Sequence, residues 1–466
     1  MTFHPARAIE ELGPAFYDSV SAAVFPKHII RFRNQRHAAR IGLGALSDRD
    51  WAAHFAKFQP FAGSLSQPLA LRYHGHQFRT YNPDIGDGRG FLFAQLYEPG
   101  TGRLLDFGTK GSGQTPWSRS GDGRLTLKGG VREVLATEML EALGVNTSRS
   151  FSLIETGEQL SRNDEPSPTR SAVLVRLSHS HIRYGTFQRL AYFQQSDEMQ
   201  CLVSYCLRHF LPDQMPTSLD AQCAALLDYA VTGAAHLAAS YMAAGFVHGV
   251  LNTDNINITG ESFDYGPFRF APTYDLAFTA AYFDQFGLYA FGRQAEALHW
   301  NVYQLAKSLL TVVPKEALLP ALEMFPKKFE TALVGNVFAR LGLAPHADHQ
   351  HNLSMLQAME TALTETAFSL DEFYFDWFGG QCRVPDKYPQ PVWQALSAIL
   401  DSVDQAPRAK ESLQHEYFSD TAPCSLLIDE IEAIWSAISE SDDWQQFNRK
   451  IEAIHRMGTA LGSNQG

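Results

Sequence analysis

The sequence predicts an α+β chain of two lobes with a helical C-terminal extension, and three observations carry that expectation. Strand-like apolar runs separated by Gly-rich turns fill the stretch that leads to Lys110. Helical periodicity dominates later, beginning with residues 218–245, where Leu219, Cys223, Leu226, Leu227, Ala230, Ala234, Leu237 and Tyr241 share a face. Directly after that helix, "GFVHGVLNTDNINITGESFDYG" (245–266) crowds a histidine, three asparagines and two aspartates into one short stretch. Strands first and helices afterwards read as α+β. At 466 residues the chain exceeds a single-core size. The expected division is an N-terminal region with the first lobe over 1–175, a second lobe with the His/Asn/Asp loop over 176–345, and the helical extension over 346–466.

Composition narrows the function. A formal net charge of −12 argues against broad nucleic-acid binding, which needs a phosphate-neutralising surface. Cys201, Cys206, Cys223, Cys382 and Cys424 lack C-x-x-C spacing, so neither zinc nor a redox motif is indicated. Reduced thiols are the default, with a Cys382–Cys424 bridge as the open alternative. No apolar signal-like core follows Met1 and no apolar run has membrane length, so a soluble cytoplasmic protein is expected. The closing "GSNQG" should fray.

In chain order, Lys27, Arg31, Arg33, Arg36 and Arg40 form a modest basic cluster that reads as a solvated face. Gly86-Asp87-Gly88-Arg89-Gly90 precedes an apolar run, "EPGTG" turns it, and "RLLDFGTK" returns, which predicts a hairpin ending at Lys110. Glycines at 86 and 88 suit a close approach of backbone N–H groups to phosphate, and Arg89 adds charge. The segment "GGVREVLATEMLEALG" has Val131, Leu135, Met139 and Leu143 at helical spacing and offers Glu133 or Glu138 as an ion-pair partner for Lys110. "ETGEQLSRNDEPSPTR" reads as a polar loop, "SAVLVRL" as a strand carrying Arg176, and "SHSHIRYGTF" as a loop carrying Arg183. A guanidinium fork matches phosphate oxygens in pairs. His179 and His181 read as structural or exposed.

The stretch after the long helix has the outline of a kinase catalytic loop. Kinases place a catalytic Asp two residues after a His and a metal-binding Asn seven after it. His248 and Asn255 keep that spacing, but Val250 stands where the base should be. Asp254 is the carboxylate beside Asn255, and Asp264-Tyr265-Gly266 follows like the kinase Asp-Phe-Gly. Asn255 and Asp264 are oxygen donors of the kind Mg²⁺ takes alongside phosphate and water. The order of hairpin, Lys strand, Glu helix, strand, long helix and metal Asp is that of a protein-kinase-like fold.

Together "YHGHQF…PDIGDGRG", "TKGSGQTPWSRSGDGR", "VREVLATEML", "SHIRYGTF", "HGVLNTDN" and "DYGPF" resemble the selenoprotein O family, kinase-like proteins without the usual catalytic Asp. The resemblance covers roughly residues 68–310. It implies protein adenylylation: ATP bound in an orientation flipped relative to kinases, with AMP passed to Ser, Thr or Tyr hydroxyls of proteins, the chain itself among the acceptors. It places nucleotide contacts on Gly86, Gly88, Arg89, Lys110, Asp122, Gly123, Arg176, Arg183 and Asp264, with Glu133 supporting Lys110. Asp254 becomes the proton acceptor, and Asn255 and Asp264 the ligands of Mg²⁺ or Mn²⁺. Asp122 and Gly123 come from the resemblance alone. The "GHQFRTYNPDIGDGR" segment departs from the family pattern, and with Cys424 as the last cysteine of the sequence, the family's terminal Cys or selenocysteine motif is not expected here. A phosphotransferase using Asp254 as a displaced base and a silent ATP-binding scaffold are the competing readings.

Overall fold

The computed structural model describes residues 2–163, 165–213 and 215–463. Its strands are β1 (Pro5–Ala6), β2 (Tyr17–Ser19), β3 (Ile29–Arg33), β4 (Leu69–Leu71), β5 (Gly75–Gln77), β6 (Thr80–Asn82), β7 (Leu92–Tyr97), β8 (Leu104–Lys110), β9 (Leu125–Thr126), β10 (Arg149–Leu160), β11 (Thr169–Ser178), β12 (Phe246–Val247) and β13 (Arg269–Phe270). Among the described residues, nine of these join one antiparallel sheet whose main order is β2-β4-β7-β8-β11-β10-β3, with β1 on β7 and β9 on β11. The interleaved helices are α1 (Gln35–Arg40), α2 (Asp48–Phe55) and α3 (Leu127–Ala142).

Alternation of side chains along a strand decides which of them reach the site. Leu104 of β8, Leu153 of β10 and Leu174 of β11 pack on the α3 side with Val131 and Leu135. Leu105, Phe107, Phe151, Val173 and Val175 face the other way, into an aromatic layer with Trp51 and Phe55 of α2. Lys110 lies six residues after Leu104 and Arg176 two after Leu174, so period two puts both cations on the α3 side. The register pairs Leu174 with Lys110 and Arg176 with Gly108, which sets the cations diagonally on neighbouring strands.

The remainder is helical: α4 (Tyr184–Tyr192), α5 (Ser196–Phe210), α6 (Leu219–Ala243), α7 (Gln294–Leu309), α8 (Lys315–Glu323), α9 (Phe325–Arg340), α10 (His349–Thr366), α11 (Leu370–Asp376), α12 (Pro391–Leu400), α13 (Ala409–Ser412), α14 (Ile428–Ser441) and α15 (Gln445–Leu461). Helix α6 starts where the Ser218 hydroxyl accepts from the Ala221 N–H, and its buried Cys223, Leu226, Leu227 and Ala230 lie within the main core. It delivers the chain to β12, which pairs with β13 and ties off the loop between them. A second core forms around Phe373, Trp377 and Trp393 in the C-terminal third.

Several expectations are corrected. The boundary at 175/176 falls inside β11, which continues in the sheet to Ser178. The C-terminal region is helical as expected, and it is tied to α3: His455 of α15 bonds Glu138 at 2.5 Å, and Lys128 pairs with Glu432 of α14 at 2.7 Å. Much of the predicted polar loop at 155–170 is strand, because Glu155 is bridged by Arg31 and Arg170 at 2.7 Å each and Glu158 by Arg124 at 2.9 Å. Asp164 in that loop lies outside the described residues, as does 464–466 of the tail expected to fray. The basic cluster is not a solvated face. Arg31 also reaches Asp442 at 3.0 Å, Arg36 bonds Glu141 at 2.5 Å, and the Arg33 guanidinium lies 4.3 Å from the Trp51 ring centroid. All five cysteines are free, so Cys382 and Cys424 are not bridged. No described helix is long and apolar enough to cross a membrane.

Candidate active site

A cleft of about 790 Å³ opens between the sheet and the loop that follows α6. Every residue expected at the site lines it except Glu133, which stands behind Lys110: Gly86, Gly88, Arg89, Lys110, Asp122, Gly123, Arg176, Arg183, Asp254, Asn255 and Asp264. Glu133 is buried on α3 and takes the Lys110 ammonium directly. That contact chooses between the two glutamates, since Glu138 is bonded to Asn34 at 2.9 Å and to His455 instead. Burial pulls the Lys110 pKa down, and Glu133 and Asp264 oppose that pull.

Asp264 sits at the centre of a cationic corner. Its Oδ1 accepts from Arg176 at 2.5 Å and lies 3.5 Å from Lys110 Nζ, while Oδ2 accepts from Arg183 at 2.8 Å. Burial alone would raise its pKa, but Arg176, Arg183 and Lys110 outweigh it and hold the carboxyl well below the usual range. Its backbone is left-handed, with φ of 61°, a conformation that Asp tolerates better than most residues. Next to it, the Tyr265 hydroxyl is anchored 2.5 Å from Thr147 Oγ1, fixing the turn from below.

Asp254 is held quite differently. It lies in a 3-10 turn, Thr253–Asn255, and is 8% exposed, with Oδ1 unpartnered. The backbone of Gly75 in β5 passes so close that a Cβ there would stand 2.8 Å from Oδ1. Burial pushes its pKa up to about 6; Arg183 opposes the rise and Asp264 adds to it. The turn is fixed by the β5–β6 hairpin, where the His76 N–H donates to Thr253 Oγ1 at 2.6 Å and the Phe78 N–H to Asn252 Oδ1 at 3.0 Å.

Arg183 links the two carboxylates. One of its amino groups donates both to the Asp254 carbonyl at 2.7 Å and to Asp264, and the other lies 3.4 Å from Asp87. Its guanidinium is sandwiched by Tyr73 and Phe263, 4.5 and 4.6 Å from the ring centroids. His248 does a parallel job, donating from Nε2 to the Phe263 carbonyl at 2.9 Å and accepting from the Val250 N–H at 3.4 Å. Burial pulls its pKa down, which suits that neutral tautomer. Val250 lines the cleft and carries no proton acceptor.

The rim is built from the Gly-rich turns. Trp117 lies against Gly86 and Gly88, where a Cβ would meet its ring at 2.6 Å and its carbonyl at 2.9 Å, so packing alone requires these glycines. The Gly123 carbonyl accepts from the Gly113 N–H at 3.1 Å, and Asp122 is clasped by Arg162 at 2.9 Å. Arg89 is exposed at the mouth. His179 and His181 are both buried, with His181 Nδ1 3.3 Å from Asp106.

Sequence reading missed Asp87, Tyr73 and the β5–β6 hairpin. Asp87 fixes Arg183 and accepts from the Leu71 N–H at 3.0 Å, and burial raises its pKa against the pull of Arg183. Its place within the 86–90 turn was the available signal; its partner, 96 residues away, was not.

The sequence model of a family described as "Protein adenylyltransferase SelO" matches residues 1–455. A "Protein nucleotidyltransferase YdiU" of Synechocystis sp. is 42% identical over 480 residues, covering 97% of this chain and 98% of the relative. One from Gloeobacter violaceus is 43% identical over 98% of this chain and 95% of its own. Another, from Pseudomonas aeruginosa, is 38% identical over 64% of this chain and 60% of its own.

Proposed function

We propose how a chain that belongs to the protein adenylyltransferase SelO family performs nucleotidyl transfer: AMP passes from ATP to a protein hydroxyl, with Asp254 as proton acceptor. The single observation that carries this reading is the pairing of unlike carboxylates in one cleft. Asp264 is compensated by three cations and stays ionised, whereas Asp254 is buried with an unpartnered oxygen and a pKa pushed up to about 6. Environments that split two carboxyls in this way separate an electrostatic role from a base role.

The sheet with α3 reads as the smaller lobe of a kinase-like fold, and the helices from α4 onward as the larger. In the reaction the acceptor oxygen attacks the α-phosphorus, the bond from that phosphorus to the bridging α–β oxygen breaks, and pyrophosphate leaves. The acceptor's proton passes to Asp254. Lys110, Arg176 and Arg183 meet the phosphates and stabilise the charge that develops there. Glu133 keeps the Lys110 ammonium aimed into the cleft. Gly86, Gly88, Arg89, Asp122 and Gly123 form the wall against which the flipped nucleotide lies.

The donors fit a divalent cation. Asn255 spends its amide N–H on the Val250 carbonyl at 3.1 Å, leaving its oxygen as the ligating atom, and Asp264 is an ionised carboxylate in the same cleft. Mg²⁺ or Mn²⁺ bound there with phosphate oxygens would neutralise charge in the transition state. Protein Ser, Thr and Tyr side chains are the acceptors, those of the chain itself included.

ATP labelled separately at the α- and γ-phosphates tests this. Label reaching protein from the α-position alone is the expected result. Label from the γ-position alone would install the phosphotransferase reading, and label from neither would leave a nucleotide-binding scaffold.

A further inference from the structure

Transfer to a protein requires a second macromolecule to bring its hydroxyl to Asp254, so surface next to the loop that carries Asp254 is where that macromolecule would be met. Phe78 stands at the tip of the β5–β6 hairpin, 37% exposed, and its N–H is bonded to Asn252, two residues before Asp254. Its ring lies 5.8 Å from Phe283, which lies 5.1 Å from Tyr282. Tyr282 and Phe286 are 88% and 92% exposed.

These rings are not held out by a loose segment. The Asp284 carboxylate accepts from the Leu288 and Tyr289 N–H groups at 2.8 Å each, the Tyr289 hydroxyl donates to Asn252 at 2.7 Å, and the Gly292 N–H closes back on the Leu276 carbonyl at 2.9 Å. The same loop packs beneath Gly249, where a Cβ would meet Ala280 at 3.1 Å. It is therefore a preorganised extension of the catalytic loop. Two arginines beside it are taken by one carboxylate: Glu296 bonds Arg79 at 2.8 Å and Arg293 at 3.0 Å. Exposed apolar rings with a satisfied polar border have the anatomy of a protein contact.

We propose that Phe78, Tyr282, Phe283 and Phe286 form a ledge that docks the acceptor protein, gripping a large apolar side chain that flanks the modified hydroxyl in an extended segment. This rests on the transfer reading above. Recognition there is apolar, because what the ledge offers at its surface is exposed rings.

The test presents a positional-scanning peptide library, with Ser, Thr or Tyr fixed at the centre, to wild type, to Tyr282→Ser/Phe286→Ser and to Tyr303→Ser. Tyr303 is 53% exposed on α7 and serves as a control for loss of a surface aromatic. Wild type and Tyr303→Ser should favour Leu, Met or Phe at one or two fixed offsets from the hydroxyl. The double variant should lose that preference and raise KM for the best peptide about tenfold or more, while its thermal shift with ATP and Mg²⁺ stays that of wild type. An unchanged preference and KM in the double variant would overturn the ledge, as would a wild-type preference for charged flanks. The peptide profile is read from whichever phosphate label moves. γ-label in place of α-label would therefore remove adenylylation and still judge docking, and no label on any peptide would sink both.

Discussion

Asp254 and Asp264 lie ten residues apart in one cleft, yet their surroundings drive them in opposite directions. Around Asp264 three cations converge and its carboxyl is held well below the usual range. Around Asp254 burial outweighs one opposing guanidinium and the hydrogen bond of Gln77, and its carboxyl rises to about 6. Burial is common to both, so the count of cations decides. One carboxylate stays ionised among its cations, and the other can exchange a proton near neutral pH.

Removing Asp264 should do the most damage. Asp264→Ala leaves Lys110, Arg176 and Arg183 mutually repelling and buried, at a cost of about 3–5 kcal/mol in urea unfolding, and α-label transfer should fall by roughly 10²–10³-fold or more. In wild type the Asp264 contribution is present at neutral pH and fades only as pH drops below 3.8 toward its depressed folded pKa. A variant as stable as wild type would mean that the cations do not need their counter-charge.

Asp254→Asn should move stability the other way. A carboxyl raised from its ordinary 3.8 to about 6 favours the fold when protonated and loses that advantage as pH rises through 6. The variant should therefore be more stable than wild type at pH 8, by up to ~3 kcal/mol, and equal to it near pH 4. Equal melts across the range would mean that Asp254 is not desolvated.

A smaller contrast lies on α3. Glu133→Gln should slow transfer by about 10–10²-fold by releasing Lys110. Glu138→Gln should leave transfer near wild type and cost about 1–2 kcal/mol through its bonds to Asn34 and His455. The reverse pattern would reassign the partner of Lys110.

Much of this site was legible because its residues follow local rules. Lys110 ends a strand after a Gly-rich turn, and His248, Asn255 and Asp264 keep a recognisable spacing within seventeen residues of chain. What stayed hidden depends on distant partners. Strand β10 looks polar, but Ser152 accepts from the Trp51 indole at 2.8 Å and Ser150 from Thr137 at 2.9 Å, so its hydroxyls are buried and paired across the fold. Strand β3 was lost among basic residues whose partners, Glu155 and Asp442, lie far along the chain. The hold of α15 on α3 runs through Glu138 and His455, 317 residues apart, and no local pattern announces it.

The most direct measurement is the pH dependence of kcat/KM for α-label transfer in wild type and Asp254→Asn. In wild type the rate should rise with pH through an inflection near 6, the value burial gives Asp254. Asp254→Asn should be slower by roughly 10²–10⁴-fold, lack that inflection, and keep the thermal shift with ATP. The same inflection at a wild-type rate in Asp254→Asn would contradict the account and assign the proton to another group.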